Sequence, residues 1–279
     1  MHFTFGEKKY DFGKRTYIMG ILNITPDSFS DGGKYFDDRL NLKKVIEDAV
    51  RMQKDGADFI DVGGESTRPG SETISTNEEL DRVIPVISEL KKILDIPVSI
   101  DTYKSEVAEE ALKSGACIVN DISGFRFDEK LPSVTARYNA SCILMHIKGT
   151  PKDMQKEPVY QDVVKEVYEY LQGSISIAKK NGIKQIITDP GIGFGKTLVN
   201  NLDLIRNLGE FRKLGFPVLL GVSRKSFIDK IQKTDIDERL EGTIAANTIG
   251  IVNGANIIRV HDVKENQKAS ITADKILYK

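Results

Sequence analysis

Eight short apolar runs along the chain each lead into residue types capable of binding or chemistry, and the types differ from run to run. The first ends in Asn23, the third in Asp101, the fourth in Asn120-Asp121 and the fifth in Met145-His146. The sixth ends in Asp189-Pro190-Gly191 and the eighth in Arg259-Val260-His261-Asp262. The second runs into Gly63-Gly64-Glu65-Ser66-Thr67-Arg68-Pro69-Gly70, and the seventh into Gly221-Val222-Ser223-Arg224-Lys225-Ser226. Two chemistries separate within this set. Asp101, Asn120, Asp189 and Lys225 bring carboxylates, an amide and an ammonium to an apolar wall of Ile122, Met145 and Phe194. That group suits the edge of a flat heterocycle carrying N–H donors and a carbonyl, its faces covered by aromatic and thioether side chains. Buried carboxylates are costly without partners, so these either pair internally, as Asp with Lys225, or wait for a ligand. Asn23, Thr67, Arg68, Arg259 and His261 are rich in donors and suit phosphate oxygens. Either arginine taken alone reads equally well as a surface ion pair.

Such side chains need a scaffold that brings distant run-ends together. The runs, Tyr17 to Asn23, Asp58 to Val62, Pro97 to Asp101, Cys117 to Asn120, Cys142 to His146, Gln185 to Asp189, Pro217 to Gly221 and Asn256 to Val260, are nearly continuous in apolar residues, as strands of a parallel sheet buried on both faces are. Helical periods fill the gaps, with Leu42, Val45, Ile46, Ala49 and Val50 forming one stripe and Val163, Val164, Val167, Tyr168 and Leu171 another. Thr76 and Glu79 have the spacing of a capping box, with Pro85 placed to kink the helix or shift its start. Gly56, Gly115, Gly182, Gly215 and Gly254 each fall between a helix and the next strand, the place for a left-handed residue. Eight βα units without a linker-like composition shift predict an α/β fold, a closed (β/α)8 TIM barrel spanning residues 1–279 as one domain. In that architecture the strand C-termini and the loops after them form the active face. Residues 1–15, with Phe3, Phe5, Tyr10 and Phe12, predict a short N-terminal β-hairpin across the barrel floor.

Composition excludes other classes. With 40 Lys+Arg against 41 Asp+Glu among 279 residues, the chain has no basic excess for a nucleic-acid groove. Purely apolar stretches such as Ile18 to Leu22 are only about five residues, against the roughly 18 to 20 that span a bilayer, and the first 16 residues have no secretory pattern. No membrane association and a cytoplasmic location are the expectations. Cys117 and Cys142 sit in strand-like runs and read as small core residues. Gly193-Phe194-Gly195-Lys196-Thr197 ends like a phosphate-binding P-loop but has Pro190 where the first glycine belongs, and Gly191, Gly193 and Gly195 make GxGxG instead of a dinucleotide fingerprint. Three histidines without HExxH or paired cysteines predict no tightly held zinc.

The loops resemble those of the dihydropteroate synthase family over residues 16–279. The resemblance is carried by Asn23-Ile24-Thr25-Pro26-Asp27-Ser28-Phe29-Ser30-Asp31-Gly32-Gly33, by Gly63 to Gly70, by Asp189-Pro190-Gly191-Ile192-Gly193-Phe194, by Ser223-Arg224-Lys225 and by Arg259-Val260-His261-Asp262, all in the family's order. One departure is Ile147-Lys148, where the family's pattern has Met and Arg; Lys148 keeps the charge without bidentate geometry. The resemblance implies a transferase of folate biosynthesis that joins 4-aminobenzoate to 6-hydroxymethyl-7,8-dihydropterin diphosphate and releases diphosphate. It implies pterin contacts at Asp101, Asn120, Ile122, Met145, Asp189, Phe194, Gly221 and Lys225, and diphosphate contacts at Asn23, Thr67, Arg68, Arg259 and His261. It also implies 4-aminobenzoate contacts at Pro69, Phe194, Lys225 and Ser226, Mg2+ near Asn23 and Asp31, and a homodimer. Catalytic roles then fall to Asp101, Lys225, Asp31 and Arg68. A pterin-binding methyltransferase on the same barrel would use Asp101, Asn120 and Asp189 but has no need of a diphosphate site, and a barrel that binds pterin without turnover has no need of a polar residue at every strand end.

Overall fold

Every one of the eight apolar runs coincides with a strand to within a few residues in the computed structural model, which describes residues 1–5, 8–25, 35 and 40–277. β1 (His2–Phe5) and β2 (Lys8–Asp11) form the antiparallel hairpin. The parallel strands are β3 (Tyr17–Asn23), β4 (Phe59–Gly63), β5 (Val98–Asp101), β6 (Ile118–Asp121), β7 (Ser141–Met145), β8 (Ile186–Asp189), β9 (Leu219–Leu220) and β10 (Ile257–Val260). Their order is β8-β7-β6-β5-β4-β3-β10-β9, and a parallel bridge between Thr188 and Val218 joins β8 to β9, completing a (β/α)8 barrel. Around it lie α1 (Leu42–Lys54), α2 (Thr76–Ile93), α3 (Ser105–Lys113), α4 (Leu131–Arg137), α5 (Val163–Lys180), α6 (Leu198–Arg206), α7 (Ser226–Gln232), α8 (Leu240–Val252) and α9 (Val263–Leu277).

Successive strand residues point to opposite faces, and this period of two sorts the core. Ile18, Leu22, Ile60, Val62, Val119 and Leu144 face the helices, where the stripe residues Val45 and Ala49 of α1 meet them. Met19, Phe59, Ile118, Ile143, Ile187, Leu219 and Ile257 fill the barrel interior together with Phe3, Phe5, Tyr10 and Phe12 of the hairpin. Phe59 lies 5.4 Å from Phe5 and 4.9 Å from Tyr10, centroid to centroid, so the hairpin seals the floor as expected. On each strand the next inward position, two residues on, belongs to the layer above. There the sequence changes character: Asp61 follows Phe59, Asp101 follows Ser99, Asn120 follows Ile118, Asp189 follows Ile187 and Arg259 follows Ile257.

Local punctuation agrees with the sequence at the glycines and departs from it at one cap. Gly56, Gly115, Gly182, Gly215 and Gly254 all have φ between 83° and 115°. At Gly115 a Cβ would also lie 2.5 Å from Lys91 Cγ, so conformation and packing both require glycine. The expected Thr76/Glu79 capping box does not form. Ser75 is the cap, its Oγ accepting from Glu78 N at 3.2 Å, because the Glu79 carboxylate is buried against Lys104 Nζ at 2.7 Å and cannot turn back to the helix start. α2 continues through Pro85, whose ring faces solvent, where water can satisfy the carbonyl left without an N–H. Cys142 is buried and Cys117 half-buried, both as free thiols.

Candidate active site

The layer above the floor is organised by one guanidinium. Arg259 Nε donates to Asp61 Oδ2 at 2.6 Å and its Nη2 to Asp101 Oδ2 at 2.8 Å, while Asn120 Nδ2 donates to Asp61 Oδ2 at 2.9 Å. Asp61, fully buried, is the residue that sequence reasoning missed. It lies inside a strand, not at its end, and the signal was a carboxylate two residues after the inward-facing Phe59. Its Oδ1 has no hydrogen-bond partner among the described residues. Across the barrel, Asp189 Oδ1 accepts from Gly191 N at 2.7 Å. A Cβ on Gly221 would sit 3.8 Å from Lys225 Nζ and 3.9 Å from Asp189 Oδ2, so this glycine keeps open the gap between ammonium and carboxylate. Lys225 Nζ donates to the Ile192 carbonyl and lies 4.7 Å from the Phe194 ring centre. The ion pair that forms with Asp101 therefore uses Arg259, not Lys225.

Burial sets the charge states here. It pushes the Asp101 carboxyl up to about 7 against the pull of Arg259, and raises Asp189 against the pull of Lys225. It lowers the Lys225 ammonium to about 8 in spite of Asp189. The wall is as expected: Ile122 and Met145 cluster with Ile147 and Met154, and Phe194 and Tyr103 pack against them.

Above this layer opens a cavity of about 510 Å³. Asn23, Thr67, Arg68, Pro69 and Ser226 line it, and Asp101, Phe194, Lys225, Arg259 and His261 connect it to the layer below. Asn120, Ile122, Met145, Asp189 and Gly221 lie deeper, outside its lining. His261 Nδ1 is 2.9 Å from Ser223 Oγ, and burial with Arg259, Arg224 and Arg68 nearby lowers it to about 3. His261 is thus a neutral imidazole at physiological pH, adding a polar N–H or nitrogen but no charge. Arg224 is held on Asp262 by two bonds of 2.9 and 2.7 Å, a tether that also fixes the Ser223–Lys225 turn.

Two polar strand ends serve other purposes. Asp121 points away from the barrel axis and accepts from Ser123 N and Phe125 N at 2.7 and 2.6 Å, shaping the turn after β6. His146 is buried with Nδ1 2.9 Å from Lys196 Nζ, and Lys148 reaches outward to the Val159 carbonyl and over the Tyr160 ring at 4.0 Å. Neither lines the cavity. Asp31, with the Pro26–Gly33 part of the first loop, lies outside the described residues. Among the described residues no three His, Cys, Asp or Glu side chains converge on a metal position. Asn23, at the cavity wall, offers an amide oxygen of the hard type that Mg2+ takes, and a cation held by one or two protein groups plus phosphate needs no more.

The sequence pattern of the family described as "Pterin binding enzyme" matches residues 19–261. The dihydropteroate synthase of Clostridium beijerinckii is 49% identical over 275 residues, 98% of each chain. Among solved structures, the dihydropteroate synthase of Clostridium difficile in the presence of pteroic acid aligns with a TM-score of 0.89 at 49% identity, covering 97% of this chain and 100% of that one. The dihydropteroate synthase of Xanthomonas albilineans with 4-aminobenzoic acid aligns at 0.89 and 36% identity, covering 98% and 97%.

The charge states are directly measurable. In a pH titration of the lysine side chains by NMR, one resonance should titrate near 8 and disappear in Lys225→Ala. A Lys225 resonance that titrates above 10 would show that the layer is wetter than its geometry implies.

Proposed function

The chain belongs to the dihydropteroate synthase family of pterin-binding enzymes, and we propose that it performs the family's condensation as a dissociative displacement between the buried layer and the rim of its cavity. Enzymes of the family are transferases of folate biosynthesis that make 7,8-dihydropteroate from 6-hydroxymethyl-7,8-dihydropterin diphosphate and 4-aminobenzoate. One observation carries the assignment of this site: Asp101 and Lys225 of the buried layer line the same cavity as Thr67, Arg68 and His261 of the rim, with Asn120 joined to that layer through Asp61 and Arg259. The pterin edge takes Asp101, Asn120, Asp189 and Lys225, with Ile122, Met145 and Phe194 on its faces and Gly221 giving it room. The diphosphate takes Asn23, Thr67, Arg68, Arg259 and His261, and the 4-aminobenzoate takes Pro69, Phe194, Lys225 and Ser226. The pteroic acid and 4-aminobenzoic acid present with the two solved relatives support both halves.

The reacting carbon is a methylene on an electron-rich dihydropterin, which can delocalise a cation, and an arylamine is a weak nucleophile. Departure of diphosphate therefore runs ahead of attack. Asp101 supplies negative charge at the pterin end, and growth of the cation draws its raised carboxyl toward the ionised form. Arg68 holds leaving oxygens at the other end, and Arg259, shared between Asp61 and Asp101, links the two ends. His261 contributes a hydrogen bond to the leaving oxygens. Asn23 and Asp31 would hold Mg2+, which when bound adds positive charge at the leaving oxygens. Residues 63–70, whose Glu65 to Pro69 line the cavity, cover the site and keep out the water that would capture the cation. No side chain forms a covalent bond, because the arylamine is the nucleophile.

Two coarser features complete the reading. α8 is apolar around most of its circumference and leaves Ile249 and Val252 exposed, and the neighbouring helices α6 and α7 expose Val199 and Ile231. We infer that a second copy covers this face, giving the homodimer. Among the described residues no helix is long and apolar enough to cross a membrane, and a cytoplasmic location accords with that.

The reading makes two demands. Lys225→Ala should weaken binding of 6-hydroxymethyl-7,8-dihydropterin by about 1.5–3 kcal/mol in calorimetry, the range for a hydrogen bond to a charged group. Because the amine is neutral above its lowered pKa of about 8, wild-type affinity should fall as pH rises through 8, and that decline should be absent from the variant. Unchanged affinity in the variant would remove Lys225 from the pterin edge. In a coupled diphosphate-release assay with both substrates, a clearly normal secondary deuterium isotope effect at the methylene is expected where chemistry limits the rate, with activity lost in excess chelator. A value near unity or inverse would mean concerted attack, and full turnover in chelator would take the cation out of the mechanism.

A further inference from the structure

The segment bearing Thr67, Arg68 and Pro69 leaves β4 at Gly64 and reaches the cap of α2 at Ser75, and its two ends meet on one ammonium. Lys104 Nζ donates to Glu65 Oε2 at 2.5 Å and to the Ile74 carbonyl at 2.8 Å, and it lies 2.7 Å from Glu79 Oε2 on α2. The Lys104 and Glu65 side chains are 16% and 4% exposed, so these bonds are shielded from the solvent screening that weakens surface pairs. The Tyr103 hydroxyl occupies the other Glu65 oxygen at 2.7 Å. Inside the segment Ser71 Oγ approaches the carbonyls of Ser66 and Arg68 at 2.6 and 2.8 Å, so the turn presenting Arg68 is itself braced.

Two hydrogen-bond acceptors and the Glu79 carboxylate gather around one point, which suits the compact charge of an ammonium better than the planar fork of an arginine. Glu65 lines the cavity and Lys104 does not, so the lysine acts from behind. It also follows Asp101 by three residues, so the post that ties the segment stands on the strand end that supplies the pterin-side carboxylate. We propose that Lys104 is a positioning residue that closes residues 65–74 into a fixed loop and thereby sets Thr67 and Arg68 over the buried layer for diphosphate. The proposal rests on the diphosphate assignment above.

The test compares two ligands by calorimetry: 6-hydroxymethyl-7,8-dihydropterin and its diphosphate. Lys104→Met should lose about tenfold or more in affinity for the diphosphate, since small displacements of a positioned group are costly, and change by less than about twofold for the alcohol. Removing the cation strands two carboxylates, so the double variant Lys104→Met with Glu79→Gln, and Glu65→Gln alone, should be measured alongside and should show the same selective loss. Equal losses on both ligands would mean a general structural lesion and would overturn the proposal, as would unchanged affinity for both. Wild-type protein that binds the diphosphate no better than the alcohol would overturn the diphosphate assignment itself.

Discussion

Ionisable side chains stacked on an apolar layer inside a closed barrel are the constraint from which the site follows. Asp61, Asp101 and Asp189 share this layer with Arg259 and Lys225, so three carboxylates face two cations away from bulk water. Desolvating such groups costs several kcal/mol each unless partners compensate. Arg259 compensates by bridging Asp61 and Asp101, and Asn120 adds its amide to Asp61. The desolvation that these partners leave uncompensated appears as perturbed protonation, burial raising Asp101 and Asp189 and lowering Lys225. Such poised groups are what a heterocycle with donors and a carbonyl can satisfy.

The floor makes this possible. Phe5 and Tyr10 of the hairpin close on Phe59, and Ile118, Ile143 and Ile187 complete an apolar base beneath the polar layer. Low polarity below strengthens each interaction above it. The rim works differently. Its groups sit on loops, and loops need anchors: the Arg224–Asp262 tether behind Lys225, and the cluster of Lys104, Glu65 and Glu79 behind Arg68. On the proposed assignment, rigid strands hold the part that takes the heterocycle, while braced loops hold the part that takes the anion.

What could be read in the sequence followed from the same geometry. Strand ends were legible because a parallel barrel gathers them on one face, and the five glycines were legible because helix ends need a left-handed residue. Asp61 was not, since it interrupts a strand; only counting by two from Phe59 exposes it. The same count explains Asp121, one residue beyond the inward Asn120 and therefore turned outward to shape a turn. Lys104, Glu65 and Glu79 were illegible because their meeting depends on how a loop returns to α2, and that burial also removed Glu79 from the expected capping box. His261 was legible as a donor, but its neutrality depends on arginines brought near only by folding. The residues alone suited a heterocycle and an anion, with an internal ion pair as the alternative; the identity of the substrates came from the resemblance of whole loops.

The central claim is that the buried layer is held at a cost to the fold that ligand binding offsets, and Asp189→Asn tests it most directly. The substitution keeps an oxygen for Gly191 N and replaces the other carboxylate oxygen with an uncharged NH2. Because burial raises this carboxyl, the folded state loses stability as pH rises above the ordinary carboxylate range, and the asparagine variant lacks that slope. Thermal unfolding without ligand at pH 8 should therefore show the variant more stable than wild type, with affinity for the dihydropterin reduced by about tenfold or more, as expected when a charged hydrogen-bond partner is lost. A variant less stable than wild type, with the same dependence on pH, would show that Asp189 supports the barrel and would contradict the account.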